Sequence, residues 1–247
     1  IGIAMGNRGT DVARAAAALV LLQDSFAAIV TAIRAGRLIT INIKQVLGYS
    51  LSLHLPIIIL SFMPGIVNQP LILLPIHIVF LELVFNPISS LVFEAEPADN
   101  DLMLRPPVPL KEELLSGRTI LRSLLGGVLV GSGIFIYYGW MIWHEVPTAQ
   151  LRTAVFTAMV GANLGTIFIY RRRWFWVRFP PTGWLAILSA MACLTLIVTV
   201  PILSRIFGLG VIEFWRFFSI LLASIVLVAL VQIVPRGLSF WRSVGWP

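Results

Sequence analysis

Glu82, Asn86 and Pro87 lie at the centre of LLPIHIVFLELVFNPISSLVF, an apolar run from Leu73 to Phe93 long enough to cross a bilayer. A charged side chain at bilayer mid-depth costs at least about 2.5 kcal/mol, so it normally faces a bundle interior, a partner or an ion path. Glu82 and Asn86 are four apart and share one helix face. Pro87 has no N–H to donate, which leaves the Leu83 carbonyl without its helical partner. A carboxylate, an amide and a released carbonyl make an oxygen-lined notch inside a membrane helix. The preceding apolar run carries His54. An imidazole beside that carboxylate could relay a proton, ligate a transition metal, or simply pair with Glu82 and lock two helices together. Asn163 and Thr166 lie in a later run, where they could reach the notch or make an interhelical hydrogen bond.

Such a notch needs a membrane bundle to hold it, and the composition supplies one. Hydrophobic residues make up 58% of the 247 and charged residues 12%, with a mean hydropathy of +0.94. Soluble domains are roughly 45–50% apolar, so this is a polytopic membrane protein. Six runs approach the ~20 residues needed to span the hydrocarbon, at about 46–67, 73–93, 121–143, 151–170, 184–206 and 214–234. The net charge of +7 comes from basic residues clustered beside these runs, so the bilayer accounts for it and nucleic acid is not an expected partner. Cys193 is the single cysteine, which excludes a disulfide framework and a thiolate metal motif.

With the N-terminal segment in the cytoplasm, fifteen of the eighteen Lys and Arg residues fall on the cytoplasmic side. Only Arg152, Arg205 and Arg216 fall opposite. The expected topology is therefore multi-pass with both ends cytoplasmic, in a plasma or cytoplasmic membrane. Arg171 to Arg173 with Trp174 and Trp176 read as an interfacial headgroup anchor, and His77 as an interfacial residue near the outer end of its span. Gly127 with Gly131, and Gly161 with Gly165, are four apart and predict close helix packing.

Residues 1–43 differ from the rest in polarity. Ile1 to Met5 is a short apolar run closed by Gly6 and Gly9, Thr10 can cap a helix over Asp11 to Ala18, and Leu19 to Leu22 suits a strand. A helical pattern starts at Ser25. Strand, helix, strand, helix suggests the end of an α/β domain too short to bury a core alone. Ile1 is not an initiator methionine and no cleavable leader precedes the first span, so the chain reads as a fragment.

The opening IGIAMGNRGTDVARAAAALVLLQDSFAAIVTAIRAGR closely resembles the end of the phosphorylation domain of P-type (E1-E2) cation-transporting ATPases. FEAEPADNDLMLRPPVPLKEELLSGR is similar to the loop that family carries between two of its later spans. The motifs are nearest to the calcium-pump-like group. The resemblance implies a mainly α fold: six transmembrane helices in 46–247, preceded by the C-terminal piece of a HAD-like domain in 1–24 and a stalk helix in 25–45. It further implies ATP hydrolysis through an aspartyl-phosphate, with ATP and Mg2+ held by the full-length protein. The phosphorylated Asp, the nucleotide-binding and actuator domains and the first four spans are not in this chain, which therefore holds no catalytic residue. They would be its partners, along with the lipid bilayer and the transported cation.

Laid on the ligand motifs of calcium-pump relatives, the first span offers His54 and Ile57, and the second Glu82, Phe85, Asn86 and Pro87. Two acidic positions are thus replaced, by Ile57 and Asn86, and an amide by Glu82. The resemblance implies a cation path with Glu82 and Asn86 as ligands, the Leu83 carbonyl beside them, His54 as tuning partner and Asn163 on the corresponding later span. Two other readings stay open at this point: a non-pumping membrane scaffold that kept the fold, and a six-span passive or secondary transporter.

Overall fold

A computed structural model of the chain describes residues 1–107, 114–171 and 181–233. Among the described residues two compact units form, one within 1–43 and 97–112, the other within 44–96 and 113–247. Lys111, Arg172, Arg173, Trp174, Trp176, Arg178, Arg236, Trp241 and Arg242 lie outside the described residues.

In the first unit, β1 (Ile3–Met5) and β2 (Leu19–Leu21) pair in parallel, Ile3 opposite Leu19 and Met5 opposite Leu21, joined through α1 (Asp11–Ala16). Thr10 caps α1, its Oγ1 accepting from the Ala13 N–H at 3.2 Å. Gly9 is required by space, because a Cβ there would fall 2.1 Å from the Met5 carbonyl oxygen. Asp24 closes the sheet edge by accepting the Asn7 and Arg8 amides at 3.0 and 3.1 Å. Desolvation pushes its carboxyl up, but these amides and that of Gly6 pull it further down, below the ordinary aspartate value. Arg37 donates to the Leu102 and Arg105 carbonyls at 2.9 and 2.7 Å. The Arg105 guanidinium, hydrogen-bonded to Asp101, holds that carboxyl below its usual range.

The second unit is a helical bundle. α2 (Ala27–Ile66) enters it beyond Ile43. It is followed by α3 (Pro75–Phe80), a π-helical turn Leu81–Phe85, α4 (Asn86–Glu94), α5 (Gly117–Trp143), α6 (Thr148–Tyr170), α7 (Pro181–Thr199), α8 (Pro201–Ile206) and α9 (Phe214–Ile233). Six of the described helical stretches are long and apolar enough to span a membrane, matching the six expected runs. The run expected at 184–206 is divided: Val200 is extended and Pro201, with no N–H, starts α8 afresh. α6 is the axis of the bundle. Its apolar window is 89% buried, against 28–39% in the other five, as expected of a helix apolar on all sides.

The paired glycines set how closely the helices approach. A Cβ on Gly127 would lie 2.6 Å from the Ser52 carbonyl oxygen, and one on Gly131 2.9 Å from the Pro56 Cα. α5 therefore rests directly on the α2 backbone where Pro56 interrupts its hydrogen bonding. On the other side of the axis, a Cβ on Gly161 would meet the Leu221 carbonyl oxygen at 2.8 Å and the Ser224 Oγ at 2.1 Å. Overpacking of this kind costs about 1–3 kcal/mol or more, and here the obstacle is backbone. Gly161→Leu is expected to remove most of the monodisperse protein in detergent size-exclusion chromatography, whereas Gly139→Leu, with open space around it, leaves the yield unchanged.

Two expectations are corrected. His77 is buried, not interfacial. Its Nε2 lies 2.7 Å from the Phe207 carbonyl, its Nδ1 accepts from the Leu74 N–H at 3.1 Å, and its ring stacks on Phe207 and lies tilted against Phe156. Arg171 is not a headgroup anchor: its side chain is 1% exposed and faces Glu96, equally buried, with Nε to Oε1 at 3.4 Å. Gln45 joins them, donating from Nε2 to Glu96 Oε2 at 3.2 Å and to the Tyr170 carbonyl at 2.9 Å.

Candidate cation site

Glu82 sits in the π-helical turn. Such turns insert one residue into a helix and recur at functional sites. Pro87 is the local contributor: it cannot donate, so the α-helical partner of the Leu83 carbonyl is missing, and in the wider i→i+5 register the missing partner is that of Glu82. Straight helical geometry therefore cannot pass Pro87 with every carbonyl satisfied. The turn re-aims the side chains on either side of it.

His54 of α2 lies across from this turn, its Nε2 3.4 Å from Glu82 Oε1. The other carboxylate oxygen, Oε2, accepts from the Asn86 amide. Glu82, Asn86 and His54 thus come together, from two consecutive spans. The His54 ring is oriented from behind: Nδ1 lies 2.7 Å from the Ser50 carbonyl oxygen. A carbonyl only accepts, so Nδ1 carries the proton, and in neutral imidazole the Nε2 lone pair points toward Glu82. That backbone contact is the arrangement metal-binding histidines ordinarily have on their second nitrogen. The side chains of His54 and Glu82 are 46% and 33% exposed, so the notch opens on a face of the bundle. Ile58, Phe62 and Met63 of α2 and Val79 of α3 are exposed as well.

Around the notch the packing is rigid. Phe85 is fully buried, as is Tyr49, whose ring meets Phe93 edge-on at 5.6 Å. Ser89 donates to the Asn86 carbonyl at 2.7 Å, satisfying an oxygen at the start of α4. Ile57 is buried in the apolar core.

The remaining candidates are placed differently. The Leu83 side chain is 72% exposed, so only its carbonyl is available to the notch. Asn163 is buried in α6 with its Nδ2 lacking a hydrogen-bond partner among the described residues. Among them it makes no hydrogen bond to Glu82, Asn86 or His54. No group of three or more His, Cys, Asp or Glu side chains suited to a metal occurs among the described residues, so any cation in the notch depends on amide, carbonyl and imidazole donors beside one carboxylate. The π-helical turn was not foreseen, although Glu82, Asn86 and Pro87 together were its signal.

Residues 70–236 match the family described as cation transporting ATPase, C-terminus. Over 170 residues the chain is 32% identical to the calcium-transporting ATPase type 2C member 2 of Rattus norvegicus, covering 66% of this chain and 18% of that protein. It is 34% identical over 145 residues to the endoplasmic reticulum calcium ATPase srcA of Aspergillus fumigatus, covering 58% and 15%. To a calcium-transporting ATPase of Bacillus subtilis it is 31% identical over 170 residues, covering 68% and 19%. The chain spans less than a fifth of the length of these relatives.

Proposed function

The chain belongs to the cation-transporting ATPases, of which it is the C-terminal membrane-spanning part, and from that premise we propose that it carries a divalent-cation site built on Glu82, Asn86 and His54. The observation that carries this is the His54 Nε2 held 3.4 Å from a Glu82 oxygen with its other nitrogen anchored on the Ser50 carbonyl. Glu82 supplies the charge, Asn86 Oδ1 and the Leu83 carbonyl supply neutral oxygens, and Asn163 stands in reserve on α6. Neither a six-span passive or secondary transporter nor a non-pumping scaffold is favoured by the family match.

The donor set favours one class of cargo. Calcium takes six to eight oxygens, mostly carboxylate and carbonyl, whereas this notch offers one carboxylate and an imidazole. Imidazole with carboxylate suits a first-row transition-metal ion better than calcium, and among these Mn2+ is the one that also accepts carboxylate and carbonyl oxygens. Calcium, the ion in the names of the relatives, is the second reading, and it requires further carboxylates from spans outside this chain.

In the complete pump, ATP and Mg2+ belong to domains outside the chain, and residues 1–24 end a HAD-like phosphorylation domain. Both ends of the chain lie in the cytoplasm. α2 is one unbroken helix of 40 residues, about 60 Å at 1.5 Å each, and it carries His54. A tilt of its cytoplasmic part moves His54 relative to Glu82 and so opens or closes the notch.

An ATPase screen of the complete protein across monovalent and divalent cations tests this. Stimulation at lower concentration by Mn2+ than by Ca2+ is expected, and His54→Asn, which trades nitrogen for oxygen, narrows or reverses that order. Stimulation by monovalent ions alone would rule the reading out.

A further inference from the structure

Three side-chain ties gather at the end of the bundle where α3 begins. Tyr138 of α5 donates to the Pro70 carbonyl at 2.9 Å, and Arg152 of α6 donates from Nε to the Leu71 carbonyl at 3.2 Å. His77 makes the third, from α3 to the Phe207 carbonyl at the end of α8. The segment entering α3 is thus held from α5, α6 and α8. α2 ends at Ile66, before the tied segment, so the ties fix the span of Glu82 and not that of His54.

The tie made by His77 depends on a proton. The Leu74 N–H donates to Nδ1 at 3.1 Å, and the Phe207 carbonyl lies 2.7 Å from Nε2. An amide N–H only donates and a carbonyl only accepts, so one form alone makes both contacts: neutral imidazole with its proton on Nε2. A second proton, on Nδ1, would set two donors against each other and end the Leu74 bond. The ring is 0% exposed within these helices, so its burial owes nothing to spans outside the chain. Phe156 and Phe207 flank it with ring centres 4.9 and 5.8 Å away. Arg152 of α6 is a charged group that faces it, whereas His144, Glu145, Arg205, Glu213 and Arg216 at the same end are exposed to solvent. Leu71 and Pro75, on either side of Leu74, are exposed too, which gives water a way to the ring once the Leu74 bond opens.

We propose that His77 is a positioning residue for Glu82: neutral, it latches the start of α3 to the end of α8, and a second proton on Nδ1 releases the latch and weakens cation binding at the notch. Five residues, about 7.5 Å of helix, separate His77 from Glu82, and α3 runs directly into the π-helical turn. The carboxylate therefore inherits the setting of α3. The latch is intact above about pH 6.5, the ordinary value that a released imidazole regains, and below it weakens by up to about tenfold per pH unit. The effect on the cation rests on the Glu82 site proposed above, whereas the latch rests on the two hydrogen bonds of His77. Glutamine supplies the discriminating variant, because its amide donates through nitrogen, accepts through oxygen and does not titrate.

The complete pump in detergent is read in two ways at pH 7.5 and 5.5. The first is hydrogen exchange of residues 72–78 and 203–209 without added cation, scaled for the intrinsic pH dependence of amide exchange. The wild type is expected to lose about tenfold in protection on acidification, and His77→Gln to keep its protection. The second is the Mn2+ concentration giving half-maximal ATP hydrolysis. Acid raises it in both proteins by protonating Glu82 and His54 directly, and in the wild type by roughly a further three- to tenfold. Equal protection of the wild type at both pH values overturns the latch, and does so even where His77→Gln fails to fold. Equal loss of protection in His77→Gln overturns it as well. Protection lost in the wild type with the same Mn2+ shift in both proteins overturns the positioning role. Should Glu82→Gln keep its stimulation, the cation site fails and the positioning role with it, while hydrogen exchange still decides the latch.

Discussion

Glu82→Gln in the complete pump is expected to reduce cation-stimulated ATP hydrolysis to the unstimulated level while leaving expression and the unfolding temperature close to those of the wild type. Glutamine keeps the volume and one carbonyl oxygen, so it can still accept from Asn86, as Glu82 Oε2 does. What it removes is the negative charge that faces His54. A dehydrated divalent ion inside a low-dielectric bundle cannot be held by neutral donors alone. The change should cost folding little, since a carboxylate in the membrane is expensive to insert even with partners. Lost stimulation with unchanged or improved stability therefore separates a ligand from a structural residue. Leu83→Ala serves as the control: the side chain is 72% exposed and only its carbonyl is invoked, so stimulation should persist. Unchanged ion dependence in Glu82→Gln would remove Glu82 from the mechanism.

Why so much of this was legible in advance follows from scale. A span is announced by some twenty apolar residues in succession, and all six expected runs correspond to helices in the bundle. The glycine pairs at 127/131 and 161/165 were equally readable, because a missing side chain at helical spacing has few uses in a membrane. The pairing of Glu82 with Asn86 followed from their spacing, and that with His54 from the cost of leaving a carboxylate alone. Other features depend on tertiary structure. Pro87 predicted a lost hydrogen bond, yet whether the helix answers with a kink or a π-helical turn depends on what Phe85, fully buried, can pack against. His77 carried one local cue, its place three residues after Leu74 behind Pro75 at the start of α3, where a side chain can reach back to the Leu74 N–H. Its other partner, the Phe207 carbonyl, is 130 residues away, beyond any pattern in the chain. Arg171 was misread because a run of three arginines next to tryptophans has a familiar interfacial meaning.

That misreading points to the second large effect. Arg171→Met is expected to destabilise the protein strongly, by about 3–5 kcal/mol, the cost of leaving Glu96 charged and buried opposite an apolar side chain. Both partners are only 1% exposed, so water cannot solvate the survivor as it would on a surface, where such a pair contributes ~1 kcal/mol or less. Glu96→Met should be comparably harmful, for it removes the carboxylate facing the guanidinium and takes an acceptor from Gln45, which also holds the Tyr170 carbonyl. The double variant Glu96→Met/Arg171→Met is expected to recover most of the loss, since removing both charges abolishes the desolvation that each imposes alone. The cycle is measured by thermal unfolding of the complete protein in one detergent, with Glu145→Gln, an exposed acid in a turn, as the surface comparison. Losses that simply add in the double variant would mean the two charges do not act on each other. A recovered double variant has one further use. Gln45 stands nine residues before His54 on the same helix, so if the network fixes the setting of α2 against the ends of α4 and α6, the recovered protein should fold normally and still need more cation for half-maximal ATPase activity.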